Sequence, residues 1–442
     1  LNQGQRPPAD AVRIEELINY FRYKYSEPRN DQPFSVKVDA ASTPWNDEHR
    51  LVRIALKGKD VPVADRLDAN LVFLIDVSGS MSGANKLPLV QKSLKLLVDQ
   101  MEARDRIALV VYAGSSGLVL PSTTANNKET IHHAIDNLKS GGSTNGGAGI
   151  DLAYKVALEK FIEGGINRVI LCTDGDFNVG TTHEGGLTRL IEEKRKTKVF
   201  FSALGFGMGN YRDDTMENLS NKGNGNYAYI DSDKEARKVM VDEMMGALQT
   251  IAKDVKIQVE FNPSKVSAYR LIGYENRKLA KEAFNDDTKD AGEIGAGHRV
   301  TALYEVVPAG HPIDAGSVDP LKYSKPESVS SGATDSDELL TVKLRYKEPD
   351  AEVSQLIEHA YVDQGKSISE ADQELRFATA VAAWGMILRG SQYAGSMTLD
   401  DVIALGSDSV GVDSGGLRSE FIELVRKSKS FIEESNTDSD LR

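Results

Sequence analysis

The sequence predicts a doubly wound α/β domain with a mostly parallel sheet, inserted in a β-sandwich-like domain and followed by a mainly helical C-terminal part. Three observations carry this reading. Between about residues 70 and 230, short continuous apolar runs alternate with amphipathic helical stretches, the pattern of strands buried on both faces and covered by helices. Segments of strict apolar–polar alternation lie on both sides of that region. Beyond residue 350 the spacing of apolar residues becomes helical again.

In chain order, residues 13–25 place Ile14, Leu17, Ile18 and Phe21 on one helical face, and Pro28 and Pro33 end the element. Residues 34–38 and 51–56 alternate, and Pro44-Trp45-Asn46-Asp47 turns the chain between these two strands. The run Leu71-Val72-Phe73-Leu74-Ile75 is a strand buried on both faces, and 86–101 follows with Leu87, Val90, Leu94, Leu97, Val98 and Met101 along one stripe. Strands are expected at 107–112, 118–120, 168–172 and 199–204, with helices at 128–138, 148–161 and 186–196. Residues 233–251 read as one closing helix. Alternation then resumes over 255–261, 300–307 and 339–346, while 324–337, rich in Ser, Glu and Asp, reads as an exposed loop. Helices are expected again at 369–388 and 420–432.

Two strands make no stable sheet alone. The economical arrangement therefore joins strands 34–57 to 255–348 in one domain interrupted by the α/β unit. The expected organisation is an N-terminal helical segment over 1–33, the first strands of the β domain over 34–66, the α/β domain over 67–253, the rest of the β domain over 254–350, and the helical region over 351–442.

Composition narrows the function classes. With 442 residues, 40% hydrophobic and 27% charged, the chain has ample core for two or three globular domains. A net charge of −13 speaks against nucleic acid, whose binding depends on clustered Lys and Arg. The single cysteine, Cys172, permits no intrachain disulfide and sits inside an apolar strand, where an inert small hydrophobe is expected. No apolar run of 18 or more residues marks a transmembrane helix.

The strand 71–75 runs straight into Asp76-Val77-Ser78-Gly79-Ser80. In a doubly wound sheet, ligands bind beyond the carboxyl ends of the strands, and Asp76 lies at such an end. The alternate spacing of Asp76, Ser78 and Ser80 can turn three oxygen-bearing side chains toward one point, with Gly79 letting the backbone bend. The second buried strand ends in Asp174-Gly175, and the glycine-rich loop Gly141-Gly142-Ser143-Thr144-Asn145-Gly146-Gly147 offers hydroxyls before a helix. Hydroxyl and carboxylate oxygens without His or Cys suit a hard cation, Mg²⁺ or Mn²⁺ (Ca²⁺ less well), rather than Zn²⁺.

These three separated elements resemble the metal-ion-dependent adhesion site of von Willebrand factor type A (vWA) and integrin I domains. The resemblance spans about residues 70–250, and the flanks, including 11–21, 205–218 and 286–305, look like those of bacterial vWA proteins often classed as lipoproteins. It implies a Rossmann-like fold with one antiparallel edge strand, assigned to 118–120. It implies direct coordination by the hydroxyls of Ser78, Ser80 and Thr144. Asp76 and Asp174 would hold coordinated waters and orient those hydroxyls. A carboxylate from a partner protein would fill the sixth position.

Other motifs have plainer readings. An Asp–Ser–Ser turn alone often caps a helix. Ser143 or Asn145 stands as an alternative ligand to Thr144, and Asp176 suits a turn. The adjacent His132 and His133 face different ways on a helix and share no metal. Gly205-x-Gly207-x-Gly209 lacks the spacing of a dinucleotide-binding loop, and the acidic stretch Asp286–Glu293 lacks EF-hand spacing. Trp45 and Trp384 are expected in the core or at a domain contact.

The expected function is therefore non-enzymatic: a metal-dependent protein-binding module for adhesion or assembly that engages an Asp or Glu of a partner, with residues 233–251 coupling the site to the β domain. The alternatives are a Mg²⁺-dependent hydrolase using the ion as Lewis acid, or a structural protein stabilised by the metal. The sequence offers no P-loop, G-x-S-x-G, H-E-x-x-H or DxDxT motif for the former. A periplasmic or cell-surface setting is the expected location, with a lipid anchor through a segment before residue 1 as one form of it and the cytoplasm as the alternative.

Overall fold

The computed structural model describes residues 6–30, 32–113, 115–142, 147–175, 184–207, 213–273, 292–311, 336–349 and 351–439. The chain divides into two compact units, one of 1–59, 254–291 and 299–442, the other of 60–253 and 292–298. The acidic residues 286–290 and most of the Ser-rich loop, 324–335, lie outside the described residues.

The first unit begins with α1 (Ile14–Asn19), β1 (Phe34–Ser42) and β2 (Arg50–Gly58). Helix α1 stops well short of the expected residue 25, because Asn19 takes another role. Its side chain accepts from the Thr301 amide at 2.7 Å and donates to the Thr301 carbonyl at 3.0 Å, so it acts as an extra strand partner. The Tyr23 hydroxyl donates to the Ile18 carbonyl at 2.8 Å and satisfies a helix-end acceptor.

The second unit follows as β3 (Ala69–Asp76), α2 (Leu87–Gln100), β4 (Arg106–Tyr112), β5 (Ser116–Thr124), α3 (Lys128–Asp136), α4 (Gly147–Glu159), β6 (Ile166–Thr173), α5 (Glu184–Arg195), β7 (Phe200–Phe206), α6 (Asp213–Lys222) and β8 (Tyr227–Ile230). These strands form a six-stranded sheet in the order β5–β4–β3–β6–β7–β8. All its pairings are parallel except β4 with β5, the expected antiparallel edge. Strand β3 is buried at every residue, as its unbroken apolar run requires. One core packs Phe73, Ile75, Val90, Leu94 and Leu97 on one face of the sheet. The other face holds Val72, Leu74, Ile150, Tyr154 and Phe201. The architecture is the doubly wound, mostly parallel sheet that the strand–helix rhythm predicts.

The expected single helix over 233–251 is corrected. The structure has α7 (Asp233–Arg237), a π-helical stretch over Lys238–Glu243, and α8 (Met244–Ala247). Ile251 already lies in β9 (Thr250–Phe261), since the β-branched alternation starts five residues earlier than expected from the sequence. In the π segment the buried Lys238 pairs with Glu235 at 3.1 Å.

The boundary between the units falls inside β9. The later elements are β10 (Val266–Leu271), β11 (Gly292–Gly295), β12 (Arg299–Pro308), β13 (Leu340–Lys347), β14 (Gln355–Tyr361), α9 (Gln373–Arg389), α10 (Leu399–Asp408) and α11 (Leu417–Ser439). Strands from both ends of the first unit share one sheet, β1–β2–β12–β10, with β2 antiparallel to β12 from Arg50↔Val306 to Lys57↔Arg299. Strands β13 and β14 lie beside β9 in a second sheet. Aromatic rings bridge the two: Phe34 to Tyr346 at 4.8 Å and Phe261 to Tyr304 at 5.4 Å. Helix α9 is buried almost all round, capped by Asp372 at its start and closed by Gly390 at φ 65°. Phe21, Phe377, Phe421 and both tryptophans lie in its core, so the C-terminal helices belong to the first unit.

Candidate metal centre

Parallel strand register builds the site. Strand β3 lies between β4 and β6, and the strand order reverses between β3 and β6, the switch point at which doubly wound sheets form a crevice at their carboxyl ends. Asp76 pairs across from Tyr112 on one side, and Ile75 from Cys172 on the other. Asp174 therefore follows immediately beyond β6, at the neighbouring strand end.

Asp76 is fully buried. One of its carboxylate oxygens accepts from the Ser78 amide at 2.8 Å; the other accepts from the Tyr112 hydroxyl at 3.0 Å and the Thr173 hydroxyl at 3.3 Å. Burial pushes the Asp76 carboxyl up, bonds from Ser78 and Tyr112 oppose that rise, and the negative charge of Asp174 adds to it. Burial, with the charge of Asp76 adding, also drives the Tyr112 phenol far up, so it stays a donor.

Ser78 precedes the 3₁₀ turn Gly79–Ser82 but makes no capping hydrogen bond to it. Its hydroxyl instead stands 2.9 Å from that of Ser80. Ser78 is buried and Ser80 exposed, so the pair runs from the crevice floor to its rim. The glycine-rich loop is tied to this turn from both sides. The Gly79 amide donates to the Gly142 carbonyl at 3.2 Å, and the Gly141 amide to the Val77 carbonyl at 2.7 Å. Gly142 has φ 91°, a conformation that favours glycine. Thr144 lies outside the described residues, with Ser143, Asn145, Asp176 and Gly209.

The Asp174 side chain is 4% exposed and faces Lys86, whose ammonium donates to its carboxylate at 2.8 Å and to the Ser80 carbonyl at 3.0 Å. The structure thus brings Asp76, Ser78, Ser80 and Asp174 to neighbouring strand ends and adds Tyr112, Thr173 and Lys86. Tyr112 and Thr173 end parallel strands beside β3, so the strand alignment carried a signal for both. Lys86 sits at the mouth of α2, where no local pattern marks it.

The donor set fits a hard divalent ion. Cis ligands at about 2.1 Å from an octahedral Mg²⁺ stand about 3.0 Å apart, close to the 2.9 Å between the two serine hydroxyls. Two neighbouring carboxylates supply negative charge without soft ligands. Among the described residues, this site included, no group of three or more His, Cys, Asp or Glu is placed to hold a metal ion, so the candidate ligand set here is two carboxylates with hydroxyls. His132 approaches Asp99 at 3.3 Å while His133 meets Asn137 at 3.1 Å, so the two histidines diverge. Cys172 is fully buried and burial pushes its thiol up, which makes it unreactive. Among the described residues, no helix is long and apolar enough to cross a membrane.

Comparison with known proteins agrees with this fold. The von Willebrand factor type A domain model matches residues 70–243, a von Willebrand factor model matches 1–53, and the model "Uncharacterized protein YfbK, C-terminal" matches 246–431. The chain is 44% identical over 432 residues to uncharacterized protein YfbK of Escherichia coli, covering 96% of this chain and 74% of that protein. It is 31% identical over 147 residues to human inter-alpha-trypsin inhibitor heavy chain H4, covering 31% of this chain and 16% of that one. Among solved structures, von Willebrand factor type A from Catenulispora acidiphila is similar at 14% identity and TM-score 0.44, covering 90% of this chain and 91% of that chain. Domains of the matched type typically mediate protein interactions. The chain belongs to the family of the bacterial protein YfbK, joining a von Willebrand factor type A domain to a YfbK C-terminal domain.

Proposed function

We propose that this protein is a metal-dependent protein-binding module, in which Asp76, Ser78, Ser80 and Asp174, completed by Thr144, hold Mg²⁺ or Mn²⁺ and the ion anchors an Asp or Glu of a partner. One observation carries the reading. A fully buried carboxylate, fixed by three donors, stands beside a second carboxylate and two hydroxyls spaced like adjacent octahedral ligands. Ser78 and Ser80 would bind the ion through their hydroxyls. Asp76 and Asp174 would orient those hydroxyls and the coordinated waters. When bound, the ion would supply a positive charge for a partner's carboxylate oxygen.

The rest of the site supports capture rather than turnover. Tyr112 and Thr173 both point their hydroxyls at Asp76 and hold it in place, so neither is available as a base. Ser80 is exposed, so an ion held by its hydroxyl would be within reach of a partner's surface. The proposed setting is the periplasm or cell surface of a bacterium, where a module of this kind serves adhesion or assembly.

The test is capture of proteins on the immobilised chain with Mg²⁺ and with EDTA, in parallel with Asp76→Ala and Thr144→Ala. A partner retained by the native chain only with Mg²⁺, and lost in both variants, is the expected outcome. Partners held equally with EDTA and by both variants would contradict the proposal.

A further inference from the structure

Lys86 is built into the site by its surroundings. Its backbone is held on both sides, the amide donating to the Gly83 carbonyl at 2.9 Å and the carbonyl accepting from the Val90 amide at 2.9 Å. Its aliphatic stem runs over Gly207, which follows β7 at φ 95°. A Cβ there would come within 2.8 Å of the Lys86 Cγ and 2.9 Å of its Cε, so any larger residue would push the stem aside. The Tyr229 hydroxyl donates to the Gly207 carbonyl and fixes that backbone from behind. The Gly205-x-Gly207 segment, which has no nucleotide-binding spacing, thereby acquires a role: it shapes the bed for this lysine.

The ammonium so positioned meets Asp174 at 2.8 Å and the Ser80 carbonyl at 3.0 Å. With the Asp174 side chain 4% exposed and that of Lys86 23% exposed, water screens the pair weakly. We propose that Lys86 is the built-in countercharge of Asp174 that sets the site's affinity for its divalent ion, keeping it weaker than two unopposed carboxylates would make it. The physics is competition for one charge. A carboxylate neutralised by a tethered cation attracts a second cation less, and the positive charge of Lys86 stands in the same crevice. With Lys86 already opposing Asp174, more of a bound ion's positive charge would be left for a partner's carboxylate. This inference rests on the metal-binding function proposed above.

The test uses the full chain, Mn²⁺ alone as probe, and two variants, Lys86→Met and Lys86→Gln. Methionine keeps an unbranched stem over Gly207, and glutamine guards against a folding defect of the first. Mn²⁺ binding is read by electron paramagnetic resonance of the free ion, and thermal midpoints are read in EDTA. Both variants are expected to bind Mn²⁺ about tenfold more tightly than the native chain, the low end of what partners of a metal-supporting carboxylate contribute. Both are also expected to melt earlier in EDTA, because Asp174 stays buried without its countercharge. Equal or weaker Mn²⁺ binding by both variants, with clear binding by the native chain, would overturn the role of Lys86 and leave the metal site standing. No binding by any of the three would overturn the metal site itself. Binding by the variants alone would support the proposal in its strongest form.

Discussion

Arg53→Met is expected to destabilise the first unit by about 3 kcal/mol, the low end for breaking a buried ion pair by removing one partner. Arg53 is fully buried on β2. Its guanidinium donates to Asp39 at 2.8 Å and to Asp372 at 2.7 Å, and lies 5.5 Å from the centre of the Tyr25 ring. Asp372 also caps α9 through the Leu375 amide at 2.7 Å. One arginine therefore ties the first sheet to the start of the central helix. The cost stays near the lower bound because Lys37 still reaches both carboxylates, whose side chains are 23% and 37% exposed. Methionine fills the volume but leaves both acids without the buried charge.

The same cluster fixes the sign of an acid effect. Burial alone would raise the Asp372 carboxyl, but the charge and hydrogen bond of Arg53, with Lys37 and the Leu375 amide, hold it far below the usual carboxylate range. A depressed carboxylate stabilises the fold fully above its unfolded value, about pH 4, and that contribution disappears as pH falls through the folded value. The native first unit should lose stability in that window, and Arg53→Met should lose less there. Both tryptophans, Trp45 and Trp384, are buried in this unit, so the denaturant dependence of tryptophan fluorescence reports it alone. A midpoint unchanged by the substitution at neutral pH would show that the cluster contributes little.

Asp76→Asn is expected to have opposite effects on stability and binding. Metal affinity should fall by about 100-fold, as when a group supporting the ligands of an ion is removed. In EDTA the thermal midpoint of the second unit should rise. Asp76 is a carboxylate that burial and the neighbouring Asp174 both disfavour as an anion, so neutralising it relieves a cost of the fold. Asparagine keeps an acceptor for the Ser78 amide, and its own amide can donate to the hydroxyls of Tyr112 and Thr173, which turn over to accept. Calorimetry with EDTA and with Mg²⁺ checks both signs. A buried acid kept only for packing would instead lose stability in both conditions.

The α/β unit was legible because its signals are local. The run 71–75 is short, apolar throughout and ends in the turn residues after Asp76, which marks a strand buried on both faces, and the stripe from Leu87 to Met101 marks a helix that covers it. Once those elements alternate, Asp76 and Asp174 must sit at carboxyl ends, so the site's charge follows from the rhythm alone. What escaped depends on partners far along the chain. Helix α1 ends where Asn19 finds Thr301, 282 residues away, and no feature between 13 and 25 announces that bond. Strand β14 shows only partly buried and exposed residues, so its sequence lacks the apolar alternation that marks a strand; the backbone of β13 recruits it. Apolar spacing carries the expected helix on to Ile251, yet the strand that begins at Thr250 claims that residue. Lys86 escaped for the same reason: its meaning arises only when the ends of α2, β6 and β7 meet.

The most direct measurement is a titration of Mn²⁺ into the full chain, followed by electron paramagnetic resonance, with the double variant Ser78→Ala/Ser80→Ala alongside. These two hydroxyls are the proposed direct ligands, and alanine at both leaves Asp76 its bonds from Tyr112 and Thr173. The expected result is saturable binding of one ion per chain, displaced by excess Mg²⁺ and lost in the double variant. Equal binding by the double variant, or none by the native chain and by its Lys86→Met variant alike, would contradict a metal centre built on Asp76, Ser78, Ser80 and Asp174.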